Sequence, residues 1–176
     1  GMVRAGIDDF VTVHIDAHAD LRDEYEGSPY SHACAARRIL ECTPVFQVGI
    51  RNISEGGERF RRGCDRVTTV FAERALADRT YLDELATFVR GKQVYLTIDL
   101  DGLDPSIMPA VGTPEPGGLL WADVLDVVRV VAREAAHVPV FDVVELAPIP
   151  GLIAPDFLAA KLVYKVISLV LLNANP

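Results

Sequence analysis

The stretch Val94-Tyr-Leu-Thr-Ile-Asp-Leu-Asp-Gly-Leu-Asp104 decides the fold class of this chain. It begins with β-branched and aromatic residues, which favour a strand, and it ends in carboxylates and a glycine. A nearly continuous apolar run of this length predicts a strand that is covered on both faces, as in parallel sheets. The earlier stretch Val11-Thr-Val-His-Ile-Asp-Ala-His-Ala-Asp20 has the same design. Two buried strands are therefore expected to end in polar clusters.

Apolar runs of strand length alternate with segments of helical periodicity along the chain. The predicted strands cover residues 11–16, 45–50, 67–71, 94–99 and 138–144. The predicted helices cover residues 31–42, 54–63, 79–90, 121–136 and 155–172. This alternation predicts a three-layer α/β/α fold with a mainly parallel sheet. The apolar stretch 157–172 is expected to form a buried helix, because it is too short and too interrupted to span a bilayer.

The composition predicts one acidic domain with a sizeable core. The 176 residues are 50% hydrophobic and carry a formal net charge of -8. No Gly/Ser linker or repeat divides residues 1–176, which predicts a single domain. No cluster of Lys and Arg could neutralise phosphates, so we expect neither a nucleic-acid nor a membrane partner. The odd number of cysteines, without a Cys-x-x-Cys pair, suits a reducing cytoplasm.

Each acidic cluster follows a strand at the edge where parallel sheets bind ligands. Alternate residues of an extended segment point the same way, so Asp99 and Asp101 can converge. Asp16, His18 and Asp20 can do so too if the backbone stays extended. Four carboxylates and an imidazole suit manganese, whereas a structural zinc site would use cysteine. A single Asp-x-Asp is more often a cap or a turn, but two such clusters favour a metal site.

Four motifs in this chain, in the same order, resemble those of the arginase/agmatinase (ureohydrolase) family, and most of all its agmatinase form. They are Asp16-Ala-His-Ala-Asp-Leu-Arg-Asp-Glu-Tyr-Glu-Gly27 with Tyr30-Ser-His32, Thr97-Ile-Asp-Leu-Asp-Gly-Leu-Asp-Pro105, Gly112-Thr-Pro-Glu-Pro-Gly-Gly-Leu119 and Asp142-Val-Val-Glu145. The likeness covers nearly the whole chain. It implies an arginase-like fold and hydrolysis of a guanidino compound, with agmatine, converted to putrescine and urea, as the leading substrate.

The resemblance also implies a ligand set for two manganese ions. Asp16 and Asp99 would bridge the ions, His18 and Asp101 would complete one of them, and Asp20 would bind the other. In that family a hydroxide bridging the two ions attacks the guanidinium carbon, since metal coordination makes water a nucleophile near neutral pH.

Three further residues take roles from the resemblance. His32 would relay a proton to the departing amine, although a histidine after Ser31 could also be a first-turn surface residue. Glu145 would orient the guanidinium by paired hydrogen bonds, and the rarity of buried glutamates without a partner favours this role. Thr113 would brace the pocket, although a turn role explains its Gly/Pro loop equally well.

The chain departs from the family pattern in two places. Family proteins carry a further N-terminal segment ending in Gly-Gly-(Asp/Glu)-His, whose histidine binds the same metal as Asp20, and this motif does not occur here. His14 lies about 6.6 Å deeper along the strand than Asp16 and is expected in the core. His137 is expected at the opposite edge of the sheet. Glu145-Leu-Ala-Pro148 stands where many relatives have Glu-Val-Asn-Pro.

Three hypotheses about activity follow. The chain is an active manganese enzyme, on agmatine or on arginine, guanidinobutyrate or formiminoglutamate. Alternatively, it is a truncated, inactive or weakly metal-binding fragment, or the product of a start-site error. The third hypothesis, a metal-free structural or partner-binding domain, is the weakest, because the convergent ligands would then serve packing alone. The absent segment would supply strands, so an exposed sheet edge and a homo-oligomer are expected.

Overall fold

The computed structural model describes residues 2–7 and 9–173, which form a five-stranded parallel sheet with flanking helices. The strands are β1 (Phe10–Ile15), β2 (Val45–Ile50), β3 (Val67–Phe71), β4 (Gln93–Asp99) and β5 (His137–Val144). The helices are α1 (Ala35–Ile39), α2 (Glu55–Gly63), α3 (Ala72–Ala77), α4 (Tyr81–Val89), α5 (Trp121–Glu134) and α6 (Ile153–Asn173). The strands lie in the order β3-β2-β1-β4-β5, and every neighbouring pair is parallel.

Apolar clusters on the two faces of the sheet give the molecule three layers. Side chains of a strand alternate between its faces, and β2 divides accordingly: Phe46 and Val48 belong to one cluster and Val45 to the other. The larger cluster joins the sheet to α4, α5 and α6, as through Leu85. The smaller cluster joins it to α1 through Ala36. The predicted α/β/α fold with a parallel sheet is confirmed.

The predicted strands all occur within one residue of their predicted bounds, but two helical segments differ. The helix predicted over 31–42 is a 3-10 helix, His32–Cys34, followed by the five residues of α1. A helix that was not predicted, α3, precedes α4. It follows β3 directly, without a turn residue that would mark its start in the sequence.

Burial differs sharply between the middle of the sheet and its β5 edge. Every residue of β1 and β2 is buried, as predicted for strands covered on both faces. In contrast, β5 pairs only with β4 and leaves Val140 and Val144 39% and 40% exposed. The helix predicted over 157–172 forms as part of α6. The expectation that it is buried was wrong: Leu162 and Val166 lie in the core, but Phe157 is 68% exposed. Within the described ranges, no helix combines the length and apolarity that a bilayer crossing requires.

Candidate active site

A cavity of about 420 Å³ opens beyond the carboxyl ends of the strands. The carboxyl ends of parallel strands lie at one edge of a sheet, so the loops that follow them meet there. The cavity is lined by all of the residues that the sequence singled out for metal and substrate, namely Asp16, His18, Asp20, His32, Asp99, Asp101, Thr113 and Glu145. The structure therefore brings together residues that are far apart in the chain.

The segment after β1 carries the first group of ligand atoms. Asp16 is almost fully buried, and its Oδ1 accepts a hydrogen bond of 2.6 Å from the backbone N–H of His18. Beyond Ile15 the chain leaves the strand, and a bridge between His18 and Asn52 keeps it beside the segment that follows β2. Asp20 has a φ of 51°, in the left-handed region that non-glycine residues rarely adopt. The condition of an extended backbone through Asp20 is therefore not met, because the chain turns at that residue.

The segment after β4 reaches across to the segment after β1. Asp99 ends β4, and its Oδ1 accepts a 2.9 Å hydrogen bond from the backbone N–H of Asp101, which lies in a 3-10 helix, Leu100–Gly102. Asp101 therefore reaches the cavity through a tight turn and not by alternation along an extended strand. Its Oδ1 accepts from the backbone N–H of Ala17 at 3.1 Å, and its Oδ2 lies 2.9 Å from Nδ1 of His18.

Two overlapping groups of side chains could each hold a divalent cation. One contains Asp16, His18 and Asp101, and the other contains His14, Asp16 and Asp20. Within each group the potential ligand atoms lie within 4.8 Å of one another. Carboxylate oxygens with an imidazole nitrogen form a donor set that suits manganese and other divalent metals that take oxygen and nitrogen ligands.

The electrostatics of the cavity favour a cation. Burial, together with the charge of Asp16, raises the pKa of Asp20 to about 7. Burial, with the charges of Asp16 and Asp101, raises the pKa of Asp99 to about 9. Hydrogen bonds to Asp101 and Asp16 raise the pKa of His18 to about 10. Each shift retains a proton among crowded carboxylates, and a bound cation would offset the same repulsion.

The three remaining predicted residues lie on different walls of the cavity. Thr113 donates a 3.1 Å hydrogen bond to Oδ2 of Asp101, so its loop contacts the ligand cluster. His32 begins a 3-10 helix, is exposed, and packs edge-on against Tyr25 with ring centroids 5.7 Å apart. Glu145 directly follows β5 with a φ of 67° and is exposed, so the expectation of a buried glutamate was wrong.

The structure also adds residues that the sequence did not single out. Arg22, Tyr25 and Asn52 line the cavity. Oε1 of Glu115 accepts a 2.5 Å hydrogen bond from Asn52 and lies 3.7 Å from Nε2 of His18. Glu115 belongs to one of the quoted motifs, but only the folded loop reveals its proximity to the histidine.

The two histidines outside the predicted ligand set occupy very different places. His14 is buried, as expected, but its Nε2 also lies 2.7 Å from Oδ2 of Asp16. The spacing of two residues, which places both side chains on one face of β1, was the sequence signal for this contact. His137 begins β5 opposite Gln93, the first residue of β4, and therefore lies at the edge of the sheet away from the cavity, as predicted.

Acidic side chains outnumber basic ones on the described cavity wall. Its carboxylates are those of Asp16, Asp20, Asp99, Asp101 and Glu145. Arg22 is the one arginine or lysine among the described residues that line the cavity. This arrangement can hold divalent cations near the strands and a positively charged ligand above them.

Comparisons with known proteins agree with this geometry. The arginase family model matches residues 1–168. An N(1)-aminopropylagmatine ureohydrolase of Thermus thermophilus is 44% identical over 173 residues, which cover 98% of this chain and 58% of that protein. The corresponding protein of Synechocystis is 41% identical over 166 residues, covering 93% and 53%. The crystal structure of agmatine ureohydrolase from Thermoplasma volcanium superposes with a TM-score of 0.80 at 33% identity, covering 93% of this chain and 55% of that one. The chain thus spans little more than half the length of these relatives.

Proposed function

This chain belongs to the arginase family, and from that premise we propose that it hydrolyses a guanidino compound, with release of urea, in a manganese-dependent reaction. The observation that carries the proposal is the pair of overlapping ligand groups that share Asp16 inside one acidic cavity. The names of the relatives, which are ureohydrolases, support the same reaction class.

We assign the metal-holding role to the side chains that follow β1 and β4. His18 and Asp101 would hold one ion and Asp20 the other, with Asp16 and Asp99 contributing to both. When bound, divalent cations supply Lewis acidity that makes water nucleophilic near neutral pH. The hydrogen bond from Thr113 holds Asp101 in place from the loop side of the cavity.

The substrate would be held and protonated by side chains on the other walls. Glu145 lines the cavity, and a carboxylate there can orient a planar guanidinium through two parallel charge-assisted hydrogen bonds. His32 lines the opening as an exposed imidazole, a group that can give a proton to a leaving amine near neutral pH.

Agmatine is the leading substrate in this proposal, and N(1)-aminopropylagmatine is the second candidate. Both carry a guanidinium at one end of a chain of methylenes and amine charge at the other, which suits an acidic cavity. The second candidate is favoured by the names of the relatives from Thermus and Synechocystis. The ratio of kcat/KM for the two compounds would decide between them.

A urea-release assay tests the proposal directly. The purified chain is stripped of metal, reloaded with Mn²⁺, and incubated with agmatine, N(1)-aminopropylagmatine or arginine. We expect release of urea that requires Mn²⁺ and is lost in Asp99→Asn, while Asp65→Asn, a substitution outside the cavity lining, retains it. A chain that binds manganese but releases no urea from any of these guanidino compounds would overturn the proposal.

A further inference from the structure

We propose that His14 is a positioning residue for Asp16, held by Gln47 in the tautomer whose Nε2 carries the hydrogen. The proposal rests on the proposed metal-binding role of Asp16. It assigns a function to a buried chain of hydrogen bonds that passes from β3 through β2 and β1 to the cavity.

The chain of contacts is continuous. His14 and Gln47 are aligned in the register of the paired strands β1 and β2, and both are buried. The hydroxyl of Thr69 donates to Oε1 of Gln47 at 3.1 Å. Nε2 of Gln47 donates to the carbonyl oxygen of Ala19 at 2.8 Å and lies 3.1 Å from Nδ1 of His14. Nε2 of His14 then lies 2.7 Å from Oδ2 of Asp16.

The carbonyl of Ala19 fixes the direction of these hydrogen bonds. A carbonyl oxygen can only accept, so the amide nitrogen of Gln47, and not its oxygen, must face it. The second hydrogen of the same amide then points to Nδ1 of His14, which must accept it. A hydrogen on Nδ1 would oppose the amide hydrogen, so the ring carries its hydrogen on Nε2 and donates it to Asp16.

The result is a carboxylate held from two sides. Oδ2 of Asp16 accepts from His14, while Oδ1 accepts the 2.6 Å hydrogen bond from the backbone N–H of His18. Asp16 also lines the cavity. Partners that orient a metal-binding carboxylate in this way typically change metal affinity by about 10- to 100-fold when they are removed.

The same tautomer determines whether His14 is a metal ligand. His14 belongs to the candidate group with Asp16 and Asp20, and Nε2 is the ring nitrogen that lies 2.7 Å from Asp16. Because that nitrogen carries the hydrogen donated to Asp16, it has no lone pair available for a metal. We therefore infer that the second ion would be held by the carboxylates of this group, with His14 acting through Asp16.

Nitrogen-15 NMR of the histidine ring tests the tautomer in the wild-type chain. Burial opposes the charged ring, but the charge of Asp16 and the hydrogen bond to it outweigh burial and raise the pKa of His14, so the spectrum is recorded at a pH high enough for the ring to be neutral. We expect Nε2 of His14 to be protonated and Nδ1 unprotonated in the metal-free chain, and unchanged after loading with diamagnetic Zn²⁺. A dominant Nδ1–H tautomer without metal would overturn the proposal. So would loss of the Nε2 hydrogen on adding Zn²⁺, since His14 would then be a ligand. This measurement needs no substitution, so a variant that fails to fold does not leave the proposal undecided.

Calorimetric titration with Mn²⁺ tests the positioning role. His14→Gln places an amide N–H near the position of Nε2, whereas His14→Leu fills space without a donor. We expect the leucine variant to bind Mn²⁺ about 10- to 100-fold more weakly than wild type, and the glutamine variant to recover most of that loss. Gln47→Leu keeps the imidazole but removes the donor that faces Nδ1, so it should shift the nitrogen-15 resonance of Nδ1 while the contact with Asp16 keeps the hydrogen on Nε2. Equal Mn²⁺ affinity in His14→Leu and wild type would overturn the positioning role.

The two proposals fail in different ways. A wild-type chain that binds Mn²⁺ but releases no urea would overturn only the proposed function. The order of affinities among the His14 variants would still support or contradict the positioning role. A wild-type chain that binds no Mn²⁺ would overturn both.

Discussion

The inner strands β1, β2 and β4 differ from the flank formed by β5 and α6 in how completely they are packed. Each inner strand has a hydrogen-bonded neighbour on both sides, and β1 and β2 are buried throughout. The β5–α6 flank has a neighbour on one side only and leaves large apolar side chains exposed, including Val140, Val144 and Phe157. All five predicted metal ligands lie at the end of an inner strand or just after one, whereas Glu145 follows β5.

The two halves of the proposed site, the metal ligands and Glu145, therefore depend on different parts of the structure. The ligand atoms lie at the ends of rigid, doubly paired strands, and their hydrogen bonds connect β1 with β4. Glu145 has a left-handed backbone and follows the edge strand β5. Among the described residues, β5 has β4 on one side and no strand on the other. Metal binding should therefore be separable from substrate orientation.

Replacing one carboxylate by an amide in each half of the site should give the strongest contrast in Mn²⁺ affinity. Asp101→Asn removes a charge from the inner-strand cluster and should weaken Mn²⁺ binding by at least about 100-fold, beyond the usual cost of losing an outer partner. Glu145→Gln should leave Mn²⁺ affinity within about twofold of wild type, because Glu145 belongs to neither candidate ligand group. It should still lower kcat/KM for urea release. Isothermal titration and the urea assay measure the two quantities, and equal losses of Mn²⁺ affinity in both variants would contradict the separation.

A matched pair of core substitutions tests the packing difference itself. Val13→Ala in β1 removes two fully buried methyl groups and should lower the free energy of unfolding by about 2–3 kcal/mol, including the cavity it leaves. Val140→Ala in β5 starts from a side chain that is 39% exposed, so its cost should stay below about 1 kcal/mol. Urea denaturation of both variants, with m-values compared to wild type, measures the difference. Similar costs would show that β5 is packed as tightly as β1.

The strands were predictable from the sequence because hydrophobic runs mark them, and the location of the site followed from the rule for parallel sheets. The residues that the sequence singled out therefore line one cavity. Their backbone geometry differs from extended alternation, since Asp20 turns through a positive φ and Asp101 lies in a 3-10 helix. Such turns are fixed by long-range hydrogen bonds, as between Ala17 and Asp101, which local sequence does not specify.

The Gln47–His14 contact shows a second limit of prediction. The two residues lie on different strands, and only the register of β1 against β2 makes them neighbours. A histidine in an apolar strand suggests a core residue, which His14 is. Its partners, and hence its proposed role, depend on which strand pairs with β1 and in what register.

The remaining expectation is a pH dependence that belongs to the inner-strand cluster. The raised pKa values of Asp20, about 7, and Asp99, about 9, mean that the metal-free folded chain binds more protons than the unfolded chain from about pH 4 to 9. Its stability should therefore fall as pH rises through that window.

Mn²⁺ must displace these protons and that of His18, whose pKa is about 10. Mn²⁺ affinity should accordingly rise by about tenfold for each pH unit in which one proton is released. Titrations at several pH values, in buffers of different ionisation enthalpy, measure both affinity and proton release. Glu145→Gln should follow the same curve as wild type, because Glu145 lies outside the cluster; an affinity that does not change with pH would show that these groups do not bind the metal.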